Sequence, residues 1–183
     1  LSGFTGGGSS YTATFTPDAE STTAGSVSVA AGTFTDAAGN DNVASNVLSL
    51  PIDTVAPTVT VTRTGSGTLR SGQTATITFT LSEASTNFVD NDVTVLGGTL
   101  SGLTGSGTSY SAVFTPAANV TTPGAISVAA GAFTDGAGNG NVASNLISLT
   151  IDTVAPTVTI TRSGSGTLRS GQAETITFTL SKP

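Results

Sequence analysis

Asp53-Thr54-Val55-Ala56-Pro57-Thr58-Val59-Thr60 returns letter for letter as Asp152-Thr153-Val154-Ala155-Pro156-Thr157-Val158-Thr159, an offset of 152 − 53 = 99 residues. The same offset carries Gly65-Ser66-Gly67-Thr68-Leu69-Arg70-Ser71-Gly72-Gln73 onto a copy that starts at Gly164. It also carries Phe34-Thr35-Asp36-Ala37-Ala38-Gly39-Asn40 onto Phe133-Thr134-Asp135-Gly136-Ala137-Gly138-Asn139. A fixed period of this kind is the mark of a repeat array. At 99 residues it is too long for helical or propeller-blade repeats and suits one autonomous β-sandwich. One full unit therefore covers residues 54–152. Residues 1–53 are the back part of a preceding unit, and 153–183 are the first two strands of a following one. Leu1 aligns with Leu100 and Pro183 with Ala84, so the partial copies together lack the counterpart of residues 85–99. With no initiator Met and no signal peptide, the chain is expected to start inside a longer protein.

Apolar residues alternate with Thr and Ser along short stretches, the period of a half-buried strand. Val59 and Val61 mark the first strand of the full unit, and Ala75, Ile77, Phe79 and Leu81 the second. Val93 and Val95 mark the third, and residues 99–104 a short fourth. Tyr110, Ala112 and Phe114 mark the fifth; Ile126 and Val128 the sixth; Ile147, Leu149 and Ile151 the seventh. Gly, Ser, Asn and Pro fill the breaks, among them residues 64–73, 82–90 and 135–141. About seven strands per repeat and no helical period predict an all-β chain of tandem Ig-like antiparallel sandwiches. The aliphatic and Phe positions, with Tyr11 and Tyr110, are assigned to the inner faces, and the Thr positions to water.

Composition removes many functions. The chain has no Cys and no His, which excludes disulfides, thiolate or imidazole zinc sites and most nucleophile–base pairs. Five basic residues against eleven acidic ones give a net charge of −6, so no basic stripe exists for nucleic acid or an anionic membrane surface. No apolar run reaches the roughly 20 residues of a membrane span.

Asp-x-Ala-Gly-Asn, then a last strand, then Asp-Thr-x-Ala-Pro opening the next unit: at this fixed spacing the chain resembles the bacterial Ig-like repeats of very large biofilm-associated and RTX-type adhesins. The resemblance covers its whole length. It implies an extracellular, extended, repetitive stalk at the bacterial surface or in a secreted protein, often stiffened by calcium between domains.

Strand order sends the loop of residues 82–90, the loop of residues 134–141 and the entering linker, residues 53–57, to one end of the unit. Asp53, Glu83, Asp90, Asp92, Asp135 and Asn139 are thus expected to converge there. Carboxylates gathered without Lys or Arg repel one another unless a cation joins them, and hard oxygen ligands in loops are what Ca²⁺ takes. Asp53 belongs to the linker, so a bound ion would fix one unit against the next. Asp135 and Asn139 read equally as turn residues capping their own backbone, and Asp90-Asn91-Asp92 as a solvated loop. Asp36, Asn40 and Asp41 form half of an equivalent set in the first unit. In the third, Lys182 stands where Glu83 does.

The expected function is a structural stalk that holds a distal adhesive domain, its receptor unspecified, away from the cell. Its partners are neighbouring repeats, covalent or joined head to tail between chains. Two alternatives stay open: a self-assembling extracellular fibre or sheath subunit, and a ligand-binding sandwich module. The second would display a loop rich in Tyr, Trp or Arg, and no such loop is present. An enzyme is the weakest reading. Glu83 and Asp135 could form a glycosidase-like carboxylate pair, but no aromatic sugar platform accompanies them.

Overall fold

The computed structural model describes all 183 residues. Its strands in chain order are β1 (Ser2–Gly7), β2 (Ser10–Thr14), β3 (Gly25–Val27), β4 (Leu48–Leu50), β5 (Val59–Arg63), β6 (Ala75–Ser85), β7 (Val93–Leu96), β8 (Gly98–Pro116), β9 (Gly124–Val128), β10 (Ile147–Leu149), β11 (Val158–Arg162) and β12 (Ile176–Leu180). The only helical element is a single 3-10 turn, Asp90–Asp92.

β5 to β10 build the complete unit as two three-stranded sheets, ordered β5-β6-β8 and β10-β9-β7. Every pairing is antiparallel, as in Val61↔Phe79, Ile77↔Ala112 and Val95↔Ile126. This is the Ig-like sandwich. The fourth and fifth strands of the sequence reading fall within one extended run, β8, whose first limb folds back along its second. Ala117 N donates to Gly97 O at 2.9 Å across the open end of that hairpin. The hairpin needs glycine at its tip: Gly105 has φ 130°, and a Cβ there would run into the Ser109 carbonyl oxygen.

The two sheets close on one core. Ile77, Phe79, Phe114 and Ile126 are fully buried, while Thr60, Thr62, Thr76 and Thr80 on the opposite faces are exposed. Each such side chain contributes about 1.5–3 kcal/mol by leaving water. Two features of the core lie outside the strands. Leu69, in the β5–β6 connection, crosses to the second sheet. Leu69 N donates to Thr150 O at 2.8 Å and Asp152 N to Leu69 O at 2.9 Å, a parallel bridge beside Ile151. Phe88, in the β6–β7 loop, packs edge-on against Phe79, Tyr110 and Phe133 with ring centroids 5.4, 5.1 and 5.2 Å away. A long-range amide replaces a strand at the outer edge of β5. Val61 N donates to Asn145 Oδ1 at 2.8 Å, and Asn145 Nδ2 donates to Val61 O at 2.9 Å. That edge is thereby closed to further pairing.

Residues 1–53 hold the counterparts of β8 to β10 and residues 153–183 those of β5 and β6, so neither stretch has by itself the facing strands that cover the core in the complete unit. β1 pairs with β2 and β3 with β4, while β11 pairs with β12. Phe34 is 63% exposed where Phe133 is 1%, and Phe178 is 61% exposed where Phe79 is 0%. Tyr11 departs from its expected core position for the same reason. Without β5 and β6 equivalents above it, the ring lies exposed, stacked on Phe4 at 5.5 Å, whereas Tyr110 is buried and donates its hydroxyl to Ser85 O at 2.8 Å.

Candidate metal centre

The linker that enters the complete unit, residues 53–57, is tied on both sides. Thr54 reaches back: its N donates to Ser21 O at 3.0 Å, its hydroxyl donates to Asp18 O at 2.8 Å, and Ser21 N donates to that hydroxyl at 2.9 Å. Asp53 and Pro57 reach forward. Asn139 Nδ2 donates to Asp53 O at 3.2 Å and Val142 N to Pro57 O at 3.0 Å. The next linker repeats the first half of this pattern, with Thr153 bonded to Val120 and Ala117.

Forward of Asp53, three carboxylates meet. One oxygen from each of Asp53, Glu83 and Asp135 lies within 4.8 Å of the others. Each comes from a different element: the linker, the end of β6 and the β9–β10 loop. The ion pairs in the chain are Arg162–Glu174 and Lys182–Asp152, so none of the three has a basic partner. Burial first, and then the charges of Asp53 and Asp135, push the Glu83 carboxyl above its ordinary value.

Asp135 is held by its own turn. Its Oδ1 accepts from Ala137 N at 2.9 Å, Gly138 N at 2.7 Å and Asn139 N at 2.9 Å, and its Oδ2 accepts from Asn139 Nδ2 at 2.9 Å. Burial raises its pKa, but the Asn139 side chain and these amides outweigh that and hold the carboxyl below its ordinary value. Asp36 and Asn40 make the same turn in residues 1–53. The Asp-x-Ala-Gly-Asn motif therefore folds locally by Asx-type bonding. In the complete unit Asp53 and Glu83 bring two further carboxylates against it.

Of the six residues expected to converge, the structure assembles Asp53, Glu83, Asp135 and Asn139. Asp90 and Asp92 take other work. Asp92 Oδ2 accepts from Val89 N at 2.8 Å and caps the 3-10 turn. Asp90 borders a shallow cleft with Phe88, Leu103 and Tyr110. Neither is among the carboxylates that meet at Asp53. Sequence reading also missed Thr54 and Thr153 as linker anchors, although both recur at the repeat offset.

At the third unit Lys182 changes the arrangement. Its Nζ donates to Asp152 Oδ1 at 2.5 Å, Asp152 Oδ2 at 2.8 Å and Val154 O at 2.9 Å. The ammonium holds the Asp152 carboxyl below its ordinary value. Asp152 and Lys182 are the counterparts of Asp53 and Glu83, so here a covalent cation stands beside the linker carboxylate.

The donor set at Asp53 suits a hard divalent cation. It is all oxygen, comes from three elements, and includes in Glu83 a carboxylate bonded to nothing else. Asp135, already accepting four hydrogen bonds, keeps capacity for one ligand bond at Oδ2.

The bacterial Ig-like domain family matches the chain twice, at residues 1–52 and 53–151, and the chain belongs to that family. No curated protein and no solved structure matches it. No helix is long and apolar enough to cross a membrane.

Proposed function

We propose that this chain is a run of spacer domains from the stalk of a bacterial cell-surface or secreted adhesin, acting outside the cell, and that Ca²⁺ at Asp53, Glu83 and Asp135 stiffens the junction between units. The observation that carries the reading is the linker. Thr54 is bonded to the unit before it, while Asp53, the adjacent residue, presents its carboxylate to two uncompensated carboxylates of the unit after it. A cation there would neutralise the repulsion and lock the two units in one orientation. Asp53 and Glu83 would supply carboxylate oxygens, Asp135 a further one, and Asn139 would orient Asp135. Each unit adds about 40 Å, roughly twelve residues of strand rise, so an array of stiff units extends far from its anchor. Thermal melting of the chain in Ca²⁺ and in EDTA tests this. A melting temperature that rises with Ca²⁺ and falls back in EDTA supports the site, since an ion that binds only the folded state stabilises it by mass action. Identical melting in both removes the calcium reading and leaves the spacer without its cation.

A further inference from the structure

Glu83 and Asp135 both lie where the sheet ladders give out. The regular register of β6 stops at Leu81 against β5 and at Thr80 against β8, resuming on β8 only at Ser85. Asp135 lies in the connection between β9 and β10. Strand pairing therefore does not set the distance between these two carboxylates, and their charges push them apart.

Asn87 supplies a tie between the two segments. Its Nδ2 donates to Thr134 Oγ1 at 3.1 Å, and its Oδ1 accepts from Thr134 N at 3.0 Å. Ser85 holds the amide from behind: Ser85 Oγ donates to Asn87 Oδ1 at 2.8 Å, and Asn87 N donates to Ser85 Oγ at 3.3 Å. Ser85 is itself buried, and its carbonyl accepts from the Tyr110 hydroxyl at 2.8 Å. A polar chain thus runs from the core through Ser85 and Asn87 to the residue beside Asp135. Phe88 and Phe133 pack edge to face alongside it, with centroids 5.2 Å apart. Each facing segment carries a core ring, a clasp residue and a carboxylate: Phe88, Asn87 and Glu83 on one, Phe133, Thr134 and Asp135 on the other.

We infer that Asn87 is a positioning residue for the carboxylate site. Through Thr134 it holds the Asp135 turn against the end of β6 and keeps Asp135 within reach of Glu83 before any ion arrives. Its benefit to ion binding rests on the cation proposed for that site. Asn87 is not a ligand itself, because Thr134 N and Ser85 Oγ occupy both acceptor sites of its Oδ1. It acts by pre-organisation. Like charges left untied move apart, and an ion that must draw them together again binds more weakly. Side chains that orient metal ligands from behind are commonly worth about ten- to a hundredfold in affinity.

Two comparisons test this role. The first uses no calcium. In EDTA at neutral pH, Glu83→Gln is expected to raise the melting temperature by relieving repulsion. In an Asn87→Ala background the same substitution is expected to give a smaller rise, since the carboxylates are then free to separate. Equal rises in the two backgrounds would overturn the role of Asn87. The second is Ca²⁺ titration by calorimetry, well below the melting range. Asn87→Ala is expected to bind Ca²⁺ about tenfold more weakly than the unsubstituted chain. Asn145→Ala removes an amide clasp of the same kind at the β5 edge. It is expected to lower the melting temperature and leave the affinity unchanged, which separates positioning from a general loss of stability. An Asn87→Ala chain that keeps full affinity, or an equal loss in Asn145→Ala, would also overturn it. An unsubstituted chain that binds no Ca²⁺ would instead remove the cation reading, and the comparison in EDTA would still decide whether Asn87 holds the two carboxylates together.

Discussion

Thr153 and Val120 are joined by two reciprocal hydrogen bonds: Thr153 N donates to Val120 O at 2.9 Å, and Val120 N donates to Thr153 Oγ1 at 2.9 Å. The hydroxyl also donates to Ala117 O at 2.7 Å. One linker residue thus stitches the exit of the last strand to the β8–β9 loop. Thr153→Val keeps the shape and leaves those groups without a partner, at a cost of about 1–3 kcal/mol. The urea midpoint of the complete unit is expected to fall accordingly. Thr54→Val breaks the equivalent bonds to the first unit, so it is expected to leave that midpoint in place and to increase proteolytic cleavage at the linker.

The Lys182–Asp152 pair suggests how to remove the need for a cation. Glu83→Lys would place an ammonium beside Asp53 and Asp135, as Lys182 stands beside Asp152. In EDTA this variant is expected to melt above the unsubstituted chain by about 2–4 °C, the size of a partly exposed ion pair in a domain of this length. Added Ca²⁺ is expected to leave its melting temperature unchanged. A melting temperature below that of the unsubstituted chain in EDTA would show that the three carboxylates do not repel one another.

The pKa values of Glu83 and Asp135 are displaced in opposite directions. Glu83 has a folded pKa raised above its ordinary 4.5, so the folded state holds its proton longer than the unfolded state does. Its contribution is most favourable below 4.5 and is lost as pH rises through the raised value. Asp135, lowered from 3.8, contributes stability that is present above 3.8 and is lost as pH falls through the lower folded value. In EDTA, melting temperature is therefore expected to decline as pH climbs past the Glu83 transition. Glu83→Gln is expected to abolish that decline while leaving the acid-side loss due to Asp135. A pH series of calorimetric melts on the two proteins checks both limbs.

Phe88→Ala removes the ring at the centre of the aromatic cluster, where a cavity is expected to cost about 3–5 kcal/mol. Phe4→Ala, on the exposed ring stacked over Tyr11, is expected to leave the denaturation midpoint of the complete unit unchanged.

Phe88 also marks where the sequence stopped being legible. Period-two alternation located every strand of the complete unit, because its inner-face residues are apolar and its outer-face ones are Thr and Ser. Residues without a period escaped. Phe88 stands alone between Asn87 and Val89, and Leu69 alone in a Gly- and Ser-rich connection. Nothing local tells an isolated core plug from an exposed loop residue. The candidate site divides in the same way. Strand order places Asp53, Glu83 and Asp135 at one end, and one oxygen of each lies within 4.8 Å of the others. It did not show that Asp92 is taken up by the backbone of its own 3-10 turn, a bond set by local backbone geometry and not by strand order. Tyr11 lies exposed, unlike Tyr110, because residues 1–53 do not include the counterparts of β5 and β6.

Calcium titration by isothermal calorimetry bears most directly on the junction. The unsubstituted chain is expected to bind one Ca²⁺, and Asp53→Asn, which leaves the fold of each unit untouched, to lose that binding. Absence of binding heat from the unsubstituted chain at several temperatures, or an undiminished site in Asp53→Asn, would contradict a cation held between the linker and the unit it enters.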